Sequence, residues 1–155
     1  MPTSKASLPI SDEEYILIKE LLQSGTKFLV VGMGAAVLQG ANVSTQDLDL
    51  WFPAVSDPRI SEAASKAGGI LIWRSDPPAF AGPGLENLDI VFHCHGLNAF
   101  DVEYESAIDV PFAGMILKVL PLRRVIASKK AAGRPKDKAS LPVLRTALKA
   151  IEEKS

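Results

Sequence analysis

The segment Phe28-Leu29-Val30-Val31-Gly32-Met33-Gly34-Ala35-Ala36-Val37-Leu38 decides how this chain folds. Its apolar opening suits a buried strand, Gly32-Met33-Gly34 breaks that strand, and the small residues from Ala35 read as a helix. A polar stretch from Gly40 to Gln46 then leads into Asp47-Leu48-Asp49-Leu50-Trp51-Phe52, where acidic and apolar residues alternate. A strand with that period sends Asp47 and Asp49 to one face and Leu48 and Leu50 to the other.

Upstream, Ser11 followed by Asp12, Glu13 and Glu14 is a capping-box opening, and Tyr15, Ile18 and Leu22 recur at helical spacing until Ser24-Gly25. Downstream, Pro58 starts a short helix that Gly68-Gly69 ends, and residues 70–73 read as a strand. Residues 76–84, rich in Pro and Gly, read as an exposed mobile loop, and residues 88–92 as a strand that carries Asp89 among apolar neighbours. Residues 108–112 and 116–119 flank Gly114 as a hairpin or bulged pair. After Pro121 a helix spans 122–132, Gly133-Arg134-Pro135 interrupts it, and a last helix runs from Lys136 or Asp137 to Ile151. This alternation predicts an α+β fold, a mixed β-sheet with helices packed on it and C-terminal helices.

A length of 155 residues argues for one domain over 1–155. With 47% hydrophobic and 23% charged residues and a mean hydropathy of +0.15, wholesale disorder is excluded. No apolar run reaches the roughly 20 residues of a membrane span, and Met1-Pro2-Thr3-Ser4-Lys5 does not open a signal peptide. A cytoplasmic protein without a membrane partner is therefore expected, and a single cysteine, Cys94, fits a reducing compartment. The net charge of −1 conceals a split. From Lys118 onward eleven Lys/Arg stand against three acids, a net +8, whereas the preceding residues carry six basic and fifteen acidic groups, a net −9. The split is compatible with an acidic, cation-attracting half facing a basic half that holds phosphates, although charge alone favours a solvated basic helix on an acidic sheet rim.

Two ionised carboxylates about 4 Å apart repel by about 4 kcal/mol at an effective dielectric of about 20, so Asp47 and Asp49 side by side call for compensation. Hard oxygen ligands at i and i+2 suit Mg²⁺, which substrate phosphates complete. Two hydrated acids on a strand rim are the plainer alternative. Gly32, fifteen residues before Asp47, ends a strand where backbone N–H groups meet an anion at a helix start. Asp89 is either a third member of the acidic cluster or a surface-facing alternating position. His93-Cys94-His95 places two histidines on one strand face, too few for a closed metal site, and reads as strand-end polarity near the acidic face. Trp51, Phe52 and Trp73 read as core or rim aromatics, with Trp73 placed before the loop where it could meet a base.

These stretches resemble a known family. Val31-Gly32-Met33-Gly34-Ala35, Gly40 and Thr45-Gln46-Asp47-Leu48-Asp49-Leu50-Trp51 are similar to the glycine turn and Asp-x-Asp signature of the nucleotidyltransferase superfamily, which includes DNA polymerase β and the minimal nucleotidyltransferases. Residues 122–137, ending Arg134-Pro135-Lys136-Asp137, resemble the C-terminal motif of small bacterial members, some related to toxin components of toxin–antitoxin systems. Leu88-Asp89-Ile90 stands where the family has its third acid, so the resemblance spans 28–144.

The resemblance implies a nucleotidyltransferase-like fold and Mg²⁺-dependent transfer of a nucleotide from an NTP to a hydroxyl on a protein, a tRNA end or a small molecule. It implies that Asp47 and Asp49 hold Mg²⁺, that Asp89 binds a second ion and helps activate the acceptor, and that Gly32, Met33, Gly34 and Thr45 form the nucleotide-binding turn. Lys129 and Arg134 would contact phosphates. RNA or an antitoxin-type protein would be the macromolecular partners. Met33 stands where the family usually has Gly or Ser, and Val43 where small relatives often have Arg. The alternative is thus a nucleotide- or partner-binding module whose triphosphate site Met33 closes. Equally open are a Lys129 pairing with a motif carboxylate and an Asp137 that caps the last helix or pairs with Arg134.

Overall fold

Helix α1 (Asp12–Gln23) starts as its sequence predicts. The Ser11 hydroxyl accepts from the Glu14 N–H and the Glu14 carboxylate accepts from the Ser11 N–H, both at 2.9 Å. The Asn87 N–H donates to the other Glu14 oxygen, which satisfies this buried acid. The computed structural model describes residues 8–154; the reading of Met1 to Lys5 lies outside them.

The remaining elements are β1 (Leu29–Val31), α2 (Gly32–Leu38), β2 (Leu48–Trp51), α3 (Pro58–Lys66), β3 (Ile70–Ile72), β4 (Ala79–Ala81), β5 (Leu88–Val91), α4 (Phe100–Glu105), β6 (Ile108–Phe112), β7 (Met115–Val119), α5 (Leu122–Ala132) and α6 (Pro135–Glu153). The strands form one mixed sheet in the order β3-β4-β5-β2-β1-β7-β6, with β2–β5 and β1–β7 parallel and the other neighbours antiparallel. Helix α1 packs on α3 and α3 on β3, while α2 packs on β1, β2 and α5, and α5 packs on α6. The core gathers Leu17, Ile18 and Leu21 of α1 with Leu29, Leu48, Leu50 and Leu117 of the sheet, all essentially inaccessible to water. The Gln39 amide ties α2 to the β7–α5 junction, donating to the Leu120 carbonyl and accepting from the Leu122 N–H.

The hairpin alternative holds at 108–119. Ala113 and Gly114 both take left-handed φ (51° and 79°) and pair Phe112 with Met115 across a two-residue turn. Two elements differ from the sequence reading. The loop expected over 76–84 contains β4, because the backbone of Ala79–Ala81 is captured between β3 and β5 and Phe80 buries against Phe52. Helix α4 has no side-chain N-cap; Phe100 stacks on Tyr104 one turn along it, and Trp51 of the sheet meets Phe100 edge-on to hold it in place. Trp51 and Phe52 are buried as read, whereas Trp73 stands 63% exposed with the Arg74 guanidinium over its ring. Among the described residues no helix is long and apolar enough to cross a membrane.

Candidate active site

Strand β2 lies between β1 and β5. Its parallel pairing puts Asp49 opposite Asp89, and its antiparallel pairing puts Asp49 opposite Val31, the last residue before the glycine turn. Leu48, Leu50, Leu88 and Ile90 are buried while Asp49 is half-buried and Asp89 exposed, so strand alternation delivers both acids to the outer face. Gly32 has φ +68°, and a Cβ there would lie 2.5 Å from the Asp49 carboxylate; only glycine lets the backbone come this close. Asp47 precedes the strand, exposed, with its N–H donating to the Thr45 hydroxyl at 3.3 Å. Gly34 lines neither of the clefts described next. It seats α2 on β2, where a Cβ would meet Leu48 at 3.0 Å and the Asp47 carbonyl at 3.2 Å.

Two clefts meet at Asp49 and Lys129. One, of about 250 Å³, is bordered further by Gly32, His93, Cys94, Ser128, Arg134 and Asp137. The other, of about 300 Å³, is bordered by Met33, Thr45, Asp47, Asp89, Lys136 and Ser140. The three expected acids therefore face one space, and Lys129 and Lys136 from the basic half share it.

Burial first, then the charges of Asp89 and Asp47, push the Asp49 carboxyl up to about 6, against the pull of Lys129. Asp89 is also raised, by burial and then by Asp47, while a hydrogen bond from Asp49 opposes the rise. Both carboxyls thus have a raised proton affinity, and Asp49 is the most perturbed member of the acidic cluster. Among the described residues no three His, Cys, Asp or Glu side chains form a ready metal cage.

The opposite wall is ordered. The left-handed Gly133 (φ +65°) ends α5 and turns the chain into α6. Asp137, in the first turn of α6, is inaccessible to water; it accepts from Arg134 Nε at 2.7 Å, Arg134 Nη2 at 3.3 Å and the Arg134 N–H at 3.2 Å. The Lys129 ammonium lies 3.5 Å away. These partners, the Arg134 hydrogen bond foremost, hold the Asp137 carboxyl down at about 2. Asp137 thus both caps α6 and pairs with Arg134, the two roles the sequence left as alternatives.

His93 and His95 fall beyond the end of β5 instead of on it, with ring centroids 5.3 Å apart. Cys94 between them has its thiol pushed up to about 12 by burial and then by Asp49 and Glu103, so it is a neutral wall residue.

No protein-family model matches the sequence, and no curated protein matches it. Two solved structures are similar to the chain. The crystal structure of ANT(2″)-Ia in complex with adenylyl-2″-tobramycin superposes with a TM-score of 0.60 at 15% identity, over 90% of this chain and 89% of that one. The solution structure of the antibiotic-resistance factor ANT(2″)-Ia, for which substrate-regulated conformation dynamics are described, gives 0.59 at 13% identity, over 88% and 82%. The chain has a nucleotidyltransferase-like fold. Within that fold Lys136, Ser140 and Ser128 border the clefts without having been singled out in the sequence. Lys136 and Ser140 stand four apart on α6, a spacing that marks one helix face once the helix start is known.

Proposed function

We propose that the chain is a Mg²⁺-dependent nucleotidyltransferase that moves a nucleotide from an NTP to a hydroxyl of a small-molecule acceptor. The observation that carries this reading is the setting of Asp49: opposed to Asp89, close to Asp47 and touched by the Gly32 backbone, it concentrates negative charge that Lys129 offsets only in part. Mg²⁺ fits this donor set, because its oxygens are hard and because Mg²⁺ takes one or two carboxylates together with phosphates and water, without a full protein cage. Asp47 and Asp49 would hold it, and Asp89 a second ion. When bound, the metal neutralises charge building on the phosphates and the leaving pyrophosphate.

Asp89, exposed and opposite Asp49 across the β2–β5 pairing, is placed to take the proton of the acceptor hydroxyl. As that proton leaves, the hydroxyl oxygen bonds to the α-phosphorus and the bond from phosphorus to the pyrophosphate oxygen breaks. Lys129 and Lys136 offer point charges to the phosphates. Arg134 offers less than its sequence position suggests, since Asp137 engages two of its nitrogens.

Met33 does not favour the reading of a closed binding module. Its side chain packs partly on the core and walls the second cleft, where about 300 Å³ stays open beside it. The small-molecule acceptor is supported by the likeness to ANT(2″)-Ia, whose crystal structure holds an adenylylated antibiotic. An NTP-dependent reaction also suits a cytoplasmic protein. RNA, a protein hydroxyl and an antitoxin-type partner are the competing outcomes of one assay, in which label from α-phosphate-labelled NTPs is followed into an aminoglycoside, RNA and purified protein. Mg²⁺-dependent labelling of the small molecule, lost in Asp49→Asn, is expected. Label on RNA or protein alone overturns the acceptor, and full activity in Asp49→Asn overturns the role of the acids.

A further inference from the structure

Asp137 is a buried charge that the transfer chemistry does not use. As a cap it needs only the Arg134 N–H, and the Arg134 guanidinium alone would pair its charge. A second cation, Lys129, nevertheless reaches it from the last turn of α5, across the Gly133 bend. Lys129 is only 18% exposed in its side chain, borders both clefts and acts on Asp49. A free lysine side chain samples many rotamers, at a cost of up to about 2 kcal/mol when one must be selected on binding. At 3.5 Å the ammonium is held electrostatically and keeps N–H donors unspent.

We propose that Asp137 is a positioning residue: its carboxylate anchors the Lys129 ammonium at the junction of the two clefts, where the triphosphate of a bound NTP meets it. The proposal rests on the nucleotidyltransferase reading. In this arrangement Arg134, hydrogen-bonded to the carboxylate, is its close counter-ion and Lys129 the working cation, both ordered by one acid. A substitution at Asp137 therefore weakens phosphate binding through Lys129, and that part of its effect vanishes when Lys129 is absent.

A double-mutant cycle on the full chain tests this, with MgATP binding followed by calorimetry for the parent, Asp137→Asn, Lys129→Met and the double variant. Asp137→Asn is expected to weaken MgATP binding by on the order of tenfold when Lys129 is present, and by less than about twofold in the Lys129→Met background. A helix cap with a purely structural role gives the same loss in both backgrounds, and that result overturns the proposal. If Asp137→Asn melts too low to titrate, Asp137→Glu carries the same cycle: it keeps the charge, moves it by one methylene, and is expected to show a smaller loss that still vanishes without Lys129. Parent chain that binds no MgATP removes the nucleotidyltransferase reading and the proposal with it, whereas parent binding with additive losses removes the proposal alone.

Discussion

Two acidic centres within one fold have opposite electrostatics. Asp137, sealed from water at the start of α6, has its carboxyl held down at about 2, whereas the half-buried Asp49 on the sheet is pushed up to about 6. Burial raises both, so burial does not separate them. Company does: Asp137 has the Arg134 fork and the Lys129 ammonium, and Asp49 has Asp89 and Asp47. A buried acid supplied with cations is a structural part, and a cluster of acids left short of cations is prepared to receive charge from outside.

The largest effect that would break this contrast is catalytic. Asp49→Asn or Asp89→Asn is expected to lower nucleotidyl transfer by on the order of a hundredfold to a thousandfold, measured as pyrophosphate release, without unfolding the chain. Next comes the paired acid. Asp137→Asn should lower unfolding free energy at pH 7 by on the order of 2–3 kcal/mol in urea titrations. Because the folded carboxyl titrates near 2 and the ordinary value is 3.8, this contribution is present above about pH 4 and is lost as pH falls toward 2, so the gap between parent and variant should close there.

Asp49 carries the opposite sign. The unfolded chain releases this proton near 3.8 and the folded chain near 6, so metal-free stability relative to Asp49→Asn should fall as pH rises from about 4 to 6. The expected span is on the order of 2–3 kcal/mol, read from melting curves of both proteins without divalent ions. Gly32→Ala sharpens the comparison at its backbone edge. The left-handed φ and the 2.5 Å approach to Asp49 should together cost about 1–2 kcal/mol in urea unfolding and shift the Asp49 titration. The smallest effect is at Trp73, where Ala should change stability by less than about 0.5 kcal/mol and leave transfer rates unaltered. A large rate loss there would instead favour the base-stacking role.

The parts of this picture legible in the sequence are those encoded locally. The Ser11–Glu14 box, the strand–glycine–helix passage through Gly32, the alternation that turns Asp49 outward and the Gly133-Arg134-Pro135 break each depend on residues within a few positions of one another. Strand β4 was hidden because Pro77, Pro78, Gly82 and Pro83 dominate its surroundings, and only pairing with β3 and β5 makes Ala79–Ala81 a strand. Helix α4 was hidden because, beyond the local Phe100–Tyr104 stack, what holds it is tertiary: Trp51 against Phe100 and Arg124 on Glu103. At the site, the sequence offered Asp89 as a third acid, but its register opposite Asp49 is a property of the β2–β5 pairing. The roles of Asp137 were undecidable in one dimension, since the Lys129 contact requires the bend between α5 and α6.

The central claim is that the sheet acids await a cation while Asp137 already has its own. Its most direct test is the melting temperature at pH 7 with Mg²⁺ and a non-hydrolysable ATP analogue, added singly and together, for parent and Asp49→Asn. The predicted result is a rise in the parent that requires both additions and is absent in Asp49→Asn. An equal rise in both proteins, or a rise in the parent with the analogue alone, would contradict it.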